Sequence, residues 1–409
     1  VELWRRFRGL QPGEAVILLA DFAINTGFFM LVPYISVHVT KSLGLTATIA
    51  GTVLAVRMLV QQLVQVFAGP AGDLYGYKRV LVTGLLIRAV GFASFALMGD
   101  VTGLMLSAAL SGVGGALFGA AERAAYAALN PGPQQASRFA LLYTAQSIGT
   151  TVGPLIGSFL LDWDFRVLSV VAGTVYLPIV LLVVLYLPNL TSGRERPAPT
   201  RAVADILNSV FTVARNRTFV TYCLISAGFW ALSGQINISL SLYGAHATGT
   251  QTAVKYLLWT SAGLVILFQY KLQAWLEHRL KPSTQWVLGS AIAGLSFLLL
   301  IPFPGMFGLE ACVVLMTFGG MLLRPVDFTM VTGMAPRDSL ASYYGLSAIA
   351  VAIGGSAGQF LGGRLLDLAW ATNRIWLPWV TFAVIGLLAA LGMWRFGDRG
   401  QKGIEANGK

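Results

Sequence analysis

The sequence predicts an all-α membrane protein of twelve transmembrane helices in two pseudo-symmetric six-helix halves. Three observations predict it. Of 409 residues, 56% are hydrophobic and 11% charged, less than half the roughly 25% charged residues of a soluble domain. So few charges cannot coat the several domains that this length would form in water, and so apolar a chain is not disordered. The apolar residues gather into twelve stretches close to the ~20 residues that cross a bilayer. Finally, the two halves of the chain repeat one another at a constant offset.

The first half, 1–188, contains candidate spans at 15–37, 47–71, 80–99, 103–128, 138–161 and 167–188. The second, 218–409, contains spans at 218–243, 253–276, 284–303, 308–333, 341–366 and 375–396. The first apolar run continues through Val32, Pro33 and Ile35, longer than a cleavable leader. Between the halves, 189–217 opens on Pro188, Pro197 and Pro199 and then places Val203, Ile206, Leu207, Val210 and Phe211 at helical spacing. That pattern predicts a linker with an amphipathic helix lying on the cytoplasmic membrane face.

An even number of spans puts both termini on one side. On this count 18 of the 28 Lys and Arg residues fall there, against five (Lys41, Arg166, Lys255, Arg364 and Arg374) on the other. The positive-inside rule then makes the termini cytoplasmic. The excess of +11 is scattered between spans, which excludes a nucleic-acid surface. Cys223 and Cys312 lie within spans, and His38, His246 and His278 are dispersed, so no metal or disulfide framework is indicated. Nor is there a phosphate loop or a nucleophile elbow. No enzyme chemistry or cofactor is expected.

A shift of 205 residues carries Ile148-Gly149, Gly153, Gly157 and Leu160-Leu161-Asp162 onto Ile353-Gly354, Gly358, Gly362 and Leu365-Leu366-Asp367. The same shift places Gly114-Gly115 on Gly319-Gly320 and Glu122 on Asp327. Parallel repeats of this kind are the style of transporters whose substrate site lies between the halves.

Ionisable groups within spans are costly and are functional candidates. Asp21 lies roughly 9 Å into the first span at 1.5 Å per residue, with Asn25 on the same face. It reads either as a carboxylate that exchanges a proton or recognises a cation, or as a structural acid paired with a neighbouring helix. Arg57, Gln61 and Gln65 form a polar stripe that must face protein or water, and Arg57 reads equally as Asp21's partner or as half of a fixed ion pair. Glu122 and Asp327 read as proton-release or gating acids, with an Arg324–Asp327 pair at i, i+3 as the plainer account of the latter. Gln235 and Asn237 read as cavity amides or helix–helix contacts. Arg88 and Lys271 are expected to snorkel to the cytoplasmic surface. Phe28, Phe29, Tyr34, Phe118, Tyr126, Phe229 and Trp230 are more consistent with packing than with an aromatic pocket.

Two motifs carry a resemblance. Gly69-Pro-Ala-Gly-Asp73-Leu-Tyr-Gly76-Tyr-Lys78-Arg79 resembles the loop motif of the major facilitator superfamily, with Leu74 and Tyr77 as departures. Gly149, Gly153, Pro154 and Gly157 resemble the glycine–proline motif of its drug:proton antiporter branch, with Ser158 for the final glycine and Ala108 near the branch's span-four arginine. Over most of its length, through Asp21…Gly27-Phe28-Phe29, Arg57…Gln61 and Arg217…Thr221-Tyr222, the chain is similar to a bacterial multidrug exporter of that branch. The resemblance implies a monomeric, proton-driven exporter of amphipathic, often cationic compounds in the bacterial inner membrane, with no partner but substrate, protons and lipid. Its halves rock about a cavity lined by spans one, four, seven and ten, and the loop latches one state through Asp73. The alternatives are the same fold moving a lipid, siderophore or metabolite, and a non-transporting receptor or scaffold.

Overall fold

The computed structural model describes residues 10–129, 135–189, 212–249, 252–276, 279–335 and 340–407. Some helix side chains are outside that description, among them Asp73 of the loop motif, whose Gly69 is also outside it; so are residues 190–211 of the linker. Every regular element among the described residues is helical. In chain order they are α1 (Pro12–Val37, continued by the π-turn His38–Ser42), α2 (Ala47–Tyr75), α3 (Tyr77–Ser94), α4 (Val101–Leu129) and α5 (Gln135–Leu161), followed by α6 (Phe165–Thr174) and α7 (Tyr176–Tyr186). The second series is α8 (Arg217–Ser233), α9 (Ser239–Thr248), α10 (Thr252–Leu276), α11 (Pro282–Ser296), α12 (Met306–Met334), α13 (Leu340–Thr372) and α14 (Trp376–Asn407).

Among the described residues, ten helical segments are long and apolar enough to cross a membrane, with α6–α7 and α8–α9 each counting as one. The expectation was twelve; α3 and α5 are helical at the expected places but are not among the ten. In α3 the reason is visible, since its 18 residues include Lys78, Arg79 and Arg88.

The 205-residue repeat is written into the packing of both halves. A β-carbon on Gly149 or Gly153 of α5 would collide with the backbone oxygen of Phe22 or Thr26 on α1. One on Gly354 or Gly358 of α13 would collide with the oxygen of Ala227 or Ala231 on α8, each contact displaced by 205. Gly157 meets Met30, and its mate Gly362 meets Gln235, the mate of Met30. In the same way Gly84 lies on Gly114 and Phe118, and Gly289 on Gly319 and Leu323. With lipid tails as apolar as leucine, helices associate by close van der Waals packing, which small residues permit. The glycine stripes are therefore the seams of each bundle.

By contact the chain forms two compact units, Val1–Val32 with Val60–Ala204 and Pro33–Leu59 with Asp205–Lys409. These do not coincide with the halves of the repeat at residues 33–59, the ends of α1 and α2 joined by the π-turn. That hairpin is held within the second unit by specific bonds. The Asp367 carboxylate, on α13, accepts from the backbone N–H of Ala47 at 3.0 Å and of Thr48 at 2.7 Å, and from the Thr48 hydroxyl. It thereby caps the N-terminus of α2, where a carboxylate is favoured by the unpaired N–H groups. Ser36 donates to the Asn237 oxygen at 2.8 Å, and Gly51 and Gly363 let α2 and α13 touch backbone to backbone. Removing a cap costs about 0.5–2 kcal/mol. Asp367→Ala should lower the thermal midpoint in detergent, and Asp367→Asn, which keeps an acceptor, should lower it less; equal midpoints for wild type and Asp367→Ala would contradict this role.

Span seven is broken by sequence. Gly234 ends α8, a 3-10 turn covers Gln235–Asn237, and the chain resumes as α9. A broken helix at membrane depth must re-satisfy its backbone groups. Gln235 does so, donating to the oxygens of Ala231 at 2.7 Å and Gly358 at 2.8 Å and accepting from Ser239 at 2.6 Å.

Candidate functional site

Asp21 and Glu122 come together in the first unit. Asp21 is on α1, 3% exposed, and Glu122 is on α4, 5% exposed. Asn25, one turn on, donates to the Asp21 carboxylate at 3.0 Å and to its backbone oxygen at 2.8 Å. The two carboxyl groups are near enough to interact electrostatically, with the Arg123 charge nearby. The remaining buried oxygens, Asp21 Oδ2 and Glu122 Oε1, meet no donor from another described residue. An ionised carboxylate has no hydrogen to offer. A bond between these two acids therefore requires a proton on one of them, and two like charges so close in a low dielectric cannot both persist. Two neighbouring buried carboxyls of this kind can share one proton.

The repeat supplies an internal control. Asp327 of α12 is the mate of Glu122, and where α1 has Asp21, α8 has Ser226. Asp327 accepts from the Tyr222 hydroxyl and from Trp286 Nε1 at 3.1 Å. Tyr222 and Trp286 are fully buried. Its donors are thus neutral side chains of α8 and α11. The pairing with Arg324 that i, i+3 spacing allows is not among the bonds of Asp327, whose donors are Tyr222 and Trp286. Deleting one donor to a buried carboxylate costs about 1–3 kcal/mol. Tyr222→Phe should therefore lower the melting midpoint, an effect that Asp327→Asn in the same chain should largely suppress; unchanged stability in Tyr222→Phe would show that the cage carries no load.

Arg88 does not snorkel. It is 5% exposed, its guanidinium stacked 5.4 Å from the centre of the Phe28 ring and 5.2 Å from that of Phe92. It bonds the Tyr176 phenol, which in turn donates to the Ile24 oxygen. Gly115 leaves the room this guanidinium occupies, and Gln61 lies against the same glycine. The sequence reading has Arg88 snorkelling to the cytoplasmic surface; the glycine pair that opens α4 to the guanidinium was the available signal. Lys271 is exposed.

The other candidates are more dispersed. Arg57 is buried on α2 within the second unit. Gly76 takes φ 89°, the left-handed region that favours glycine, and so separates α2 from α3; Lys78 and Arg79 follow on the first turn of α3. Tyr77 packs on Gly72. Pro154 sits inside α5 between Gly153 and Gly157, both pressed on α1. Tyr34, Phe118, Tyr126 and Phe229 are buried as packing residues. Asp367 was aligned with Asp162 by the repeat but assigned no role; an acid at the C-terminal end of a helix, against the dipole preference, was the available clue.

The second unit also encloses a cavity of about 130 Å³. Its walls include Phe229 and Ser233 of α8, Ser261 and Gln269 of α10, and Gly320 and Arg324 of α12.

Buried acids, broken helices and repeated glycine seams in a multi-pass membrane chain define a solute transporter rather than an enzyme. The model of the Major Facilitator Superfamily matches residues 17–359, and the chain belongs to that family. Among its relatives is the multidrug resistance protein MdtH of Yersinia enterocolitica, 31% identical over 391 residues and 95% of each chain. MdtH of Escherichia coli K12 is 29% identical over 388 residues, again 95% of each. The fold is similar to that of the solved peptide transporter POT, with a TM-score of 0.81 at 17% identity over 97% of this chain and 96% of that one. It is also similar to the nucleoside transporter NupG, with a TM-score of 0.78 at 14% identity over 94% and 99%.

Proposed function

We propose that the protein is a proton-coupled exporter of amphipathic compounds that works by alternating access, with Asp21 and Glu122 as the proton site. The single observation that carries this reading is the asymmetry between the repeats. Asp327 is held by two neutral donors, the Tyr222 hydroxyl and Trp286 Nε1, whereas its mate Glu122 faces a second acid and needs a proton for the two to bond. Export of drug-like compounds is supported by the two MdtH relatives, which match this chain from end to end.

In this mechanism a cationic substrate competes with the shared proton, so that loading one releases the other. Asn25 orients Asp21 for either occupant, and Arg123 provides a nearby positive charge that favours release. One proton moving down 100 mV supplies about 2.3 kcal/mol, which, at 1.4 kcal/mol per tenfold, sustains a gradient of about 40-fold for an electroneutral substrate exchanged one for one. Twelve spans are proposed, counting α3 and α5, because their glycine contacts match those of α11 and α13, both among the ten. The distribution of basic residues supports cytoplasmic termini, and on that orientation the Gly76 turn and the Lys78–Arg79 pair act as a cytoplasmic latch. The Asp367 clasp on α2 would then close the opposite, outer end. The test is uptake of the ethyl ester of rhodamine B into inverted proteoliposomes: acidification of the lumen should drive accumulation, and conductance without saturable exchange would refute the antiport.

A further inference from the structure

Arg324 is a guanidinium at the wall of a cavity, and the repeat explains why the cavity exists. In the first unit the equivalent space is filled: Arg88 of α3 lies over Gly115 of α4. Shifted by 205, those positions are Ala293 and Gly320, and both line the cavity of the second unit. The loss of the Arg88 side chain has left the hollow. The arginine has instead moved to position 324, whose mate in the first half is Gly119. Arg88 is buried and bonded, whereas Arg324 is exposed, lies 3.7 Å from the β-position of Gly320, and has no hydrogen-bond or ion-pair partner among the described residues.

The rest of the lining does not neutralise it. The acid on the same helix, Asp327, is engaged by Tyr222 and Trp286. Thr317 donates to Ser261 at 3.0 Å, and Gln269 donates to the Met321 oxygen at 3.2 Å, so these polar groups satisfy one another or the backbone. What remains is one unmatched cation in an apolar recess with Phe229 at its wall. An intramembrane arginine is expensive unless paired, and its planar fork fits a carboxylate through two parallel bonds. At about 130 Å³ the recess has room for an acidic headgroup and its nearest carbons.

We infer that the Arg324 recess is a subsite for a carboxylate or similar planar anionic group of the substrate, so that the transporter selects amphipathic compounds bearing an acid over their neutralised analogues. This rests on the export reading above and extends it from the proton to the substrate. Rhodamine B and its ethyl ester share one xanthenium core and differ only in the carboxylate. Binding of each to the purified full chain is read by fluorescence anisotropy in wild type, Arg324→Gln and Arg324→Lys. A charge-assisted pair contributes about 1.5–3 kcal/mol, so wild type should bind the acid at least roughly tenfold more tightly than the ester. Arg324→Gln should erase that preference while leaving ester binding unchanged, and Arg324→Lys should restore part of it. In wild type alone, benzoate should displace rhodamine B and leave the ester bound. Equal affinity for acid and ester, or a preference that survives in Arg324→Gln, overturns the subsite and leaves the exporter standing. Failure of both dyes to bind wild type overturns the amphipathic-export reading and this inference with it.

Discussion

In Glu122→Gln, proton-driven accumulation of the rhodamine B ethyl ester should collapse while the dye still binds. Glutamine keeps the shape of the buried side chain and brings its own N–H to Asp21, so the contact survives without an exchangeable proton. Exchange of this cationic dye for one proton moves no net charge, so accumulation follows the pH gradient, about tenfold per pH unit on a one-for-one exchange, and should fall to equilibration. Asp21→Asn should do the same from the other side of the contact. The pH dependence carries a definite sign. Because dye and proton compete, wild type should bind the cationic ester more tightly as pH rises, and both variants should bind it with a flatter profile. Asp327→Asn should keep both coupling and pH dependence, since its mate's role has been replaced by Tyr222 and Trp286. Loss of coupling in Asp327→Asn with normal coupling in Glu122→Gln would reverse the assignment.

The second large effect concerns the seams. Gly153→Val on α5 and Gly358→Val on α13 should each abolish the folded monomer in detergent, because the new side chain would collide with the backbone of Thr26 or Ala231. Backbone cannot swing aside as a side-chain tip can, so the cost should exceed the usual 1–3 kcal/mol of overpacking. Gly263→Ala on α10 is the control. Nothing lies within 4 Å of its β-position, and alanine favours helix over glycine by about 1 kcal/mol, so that variant should be as stable as wild type or more so. Size-exclusion profiles of the three variants decide it: monodisperse Gly153→Val and Gly358→Val would show that the repeated contacts do not hold the bundles.

Much of this was legible before any coordinates. The 205-residue offset was read from glycines, a few aliphatic residues and two acidic pairs, and it proved to describe contacts, because a glycine that permits helix approach must recur wherever the approach recurs. Asp21 and Glu122 stood out as acids in apolar spans, but nothing in the linear pattern put them in contact; residues 101 positions apart meet only through the packing of α1 on α4. The i, i+3 spacing of Arg324 and Asp327 misled for a related reason. Spacing permits a pair on one helix, yet Tyr222 and Trp286, on two other helices, offered donors without the cost of burying a second charge. Arg88 was misread because hydropathy averages over a helix and does not see the single glycine face that makes room for a guanidinium. The Asp367 clasp joins residues some 320 positions apart and had no local signature beyond an acid at the wrong end of a helix.

The most direct test of the central claim is proton release on substrate binding, measured with a pH-indicator dye in weakly buffered detergent as the rhodamine B ethyl ester is added to purified protein. If Asp21 and Glu122 hold one proton between them, wild type should acidify the medium in proportion to dye bound, and Glu122→Gln should bind the dye and release none. Equal release by wild type and Glu122→Gln would place the exchanged proton elsewhere and contradict the account.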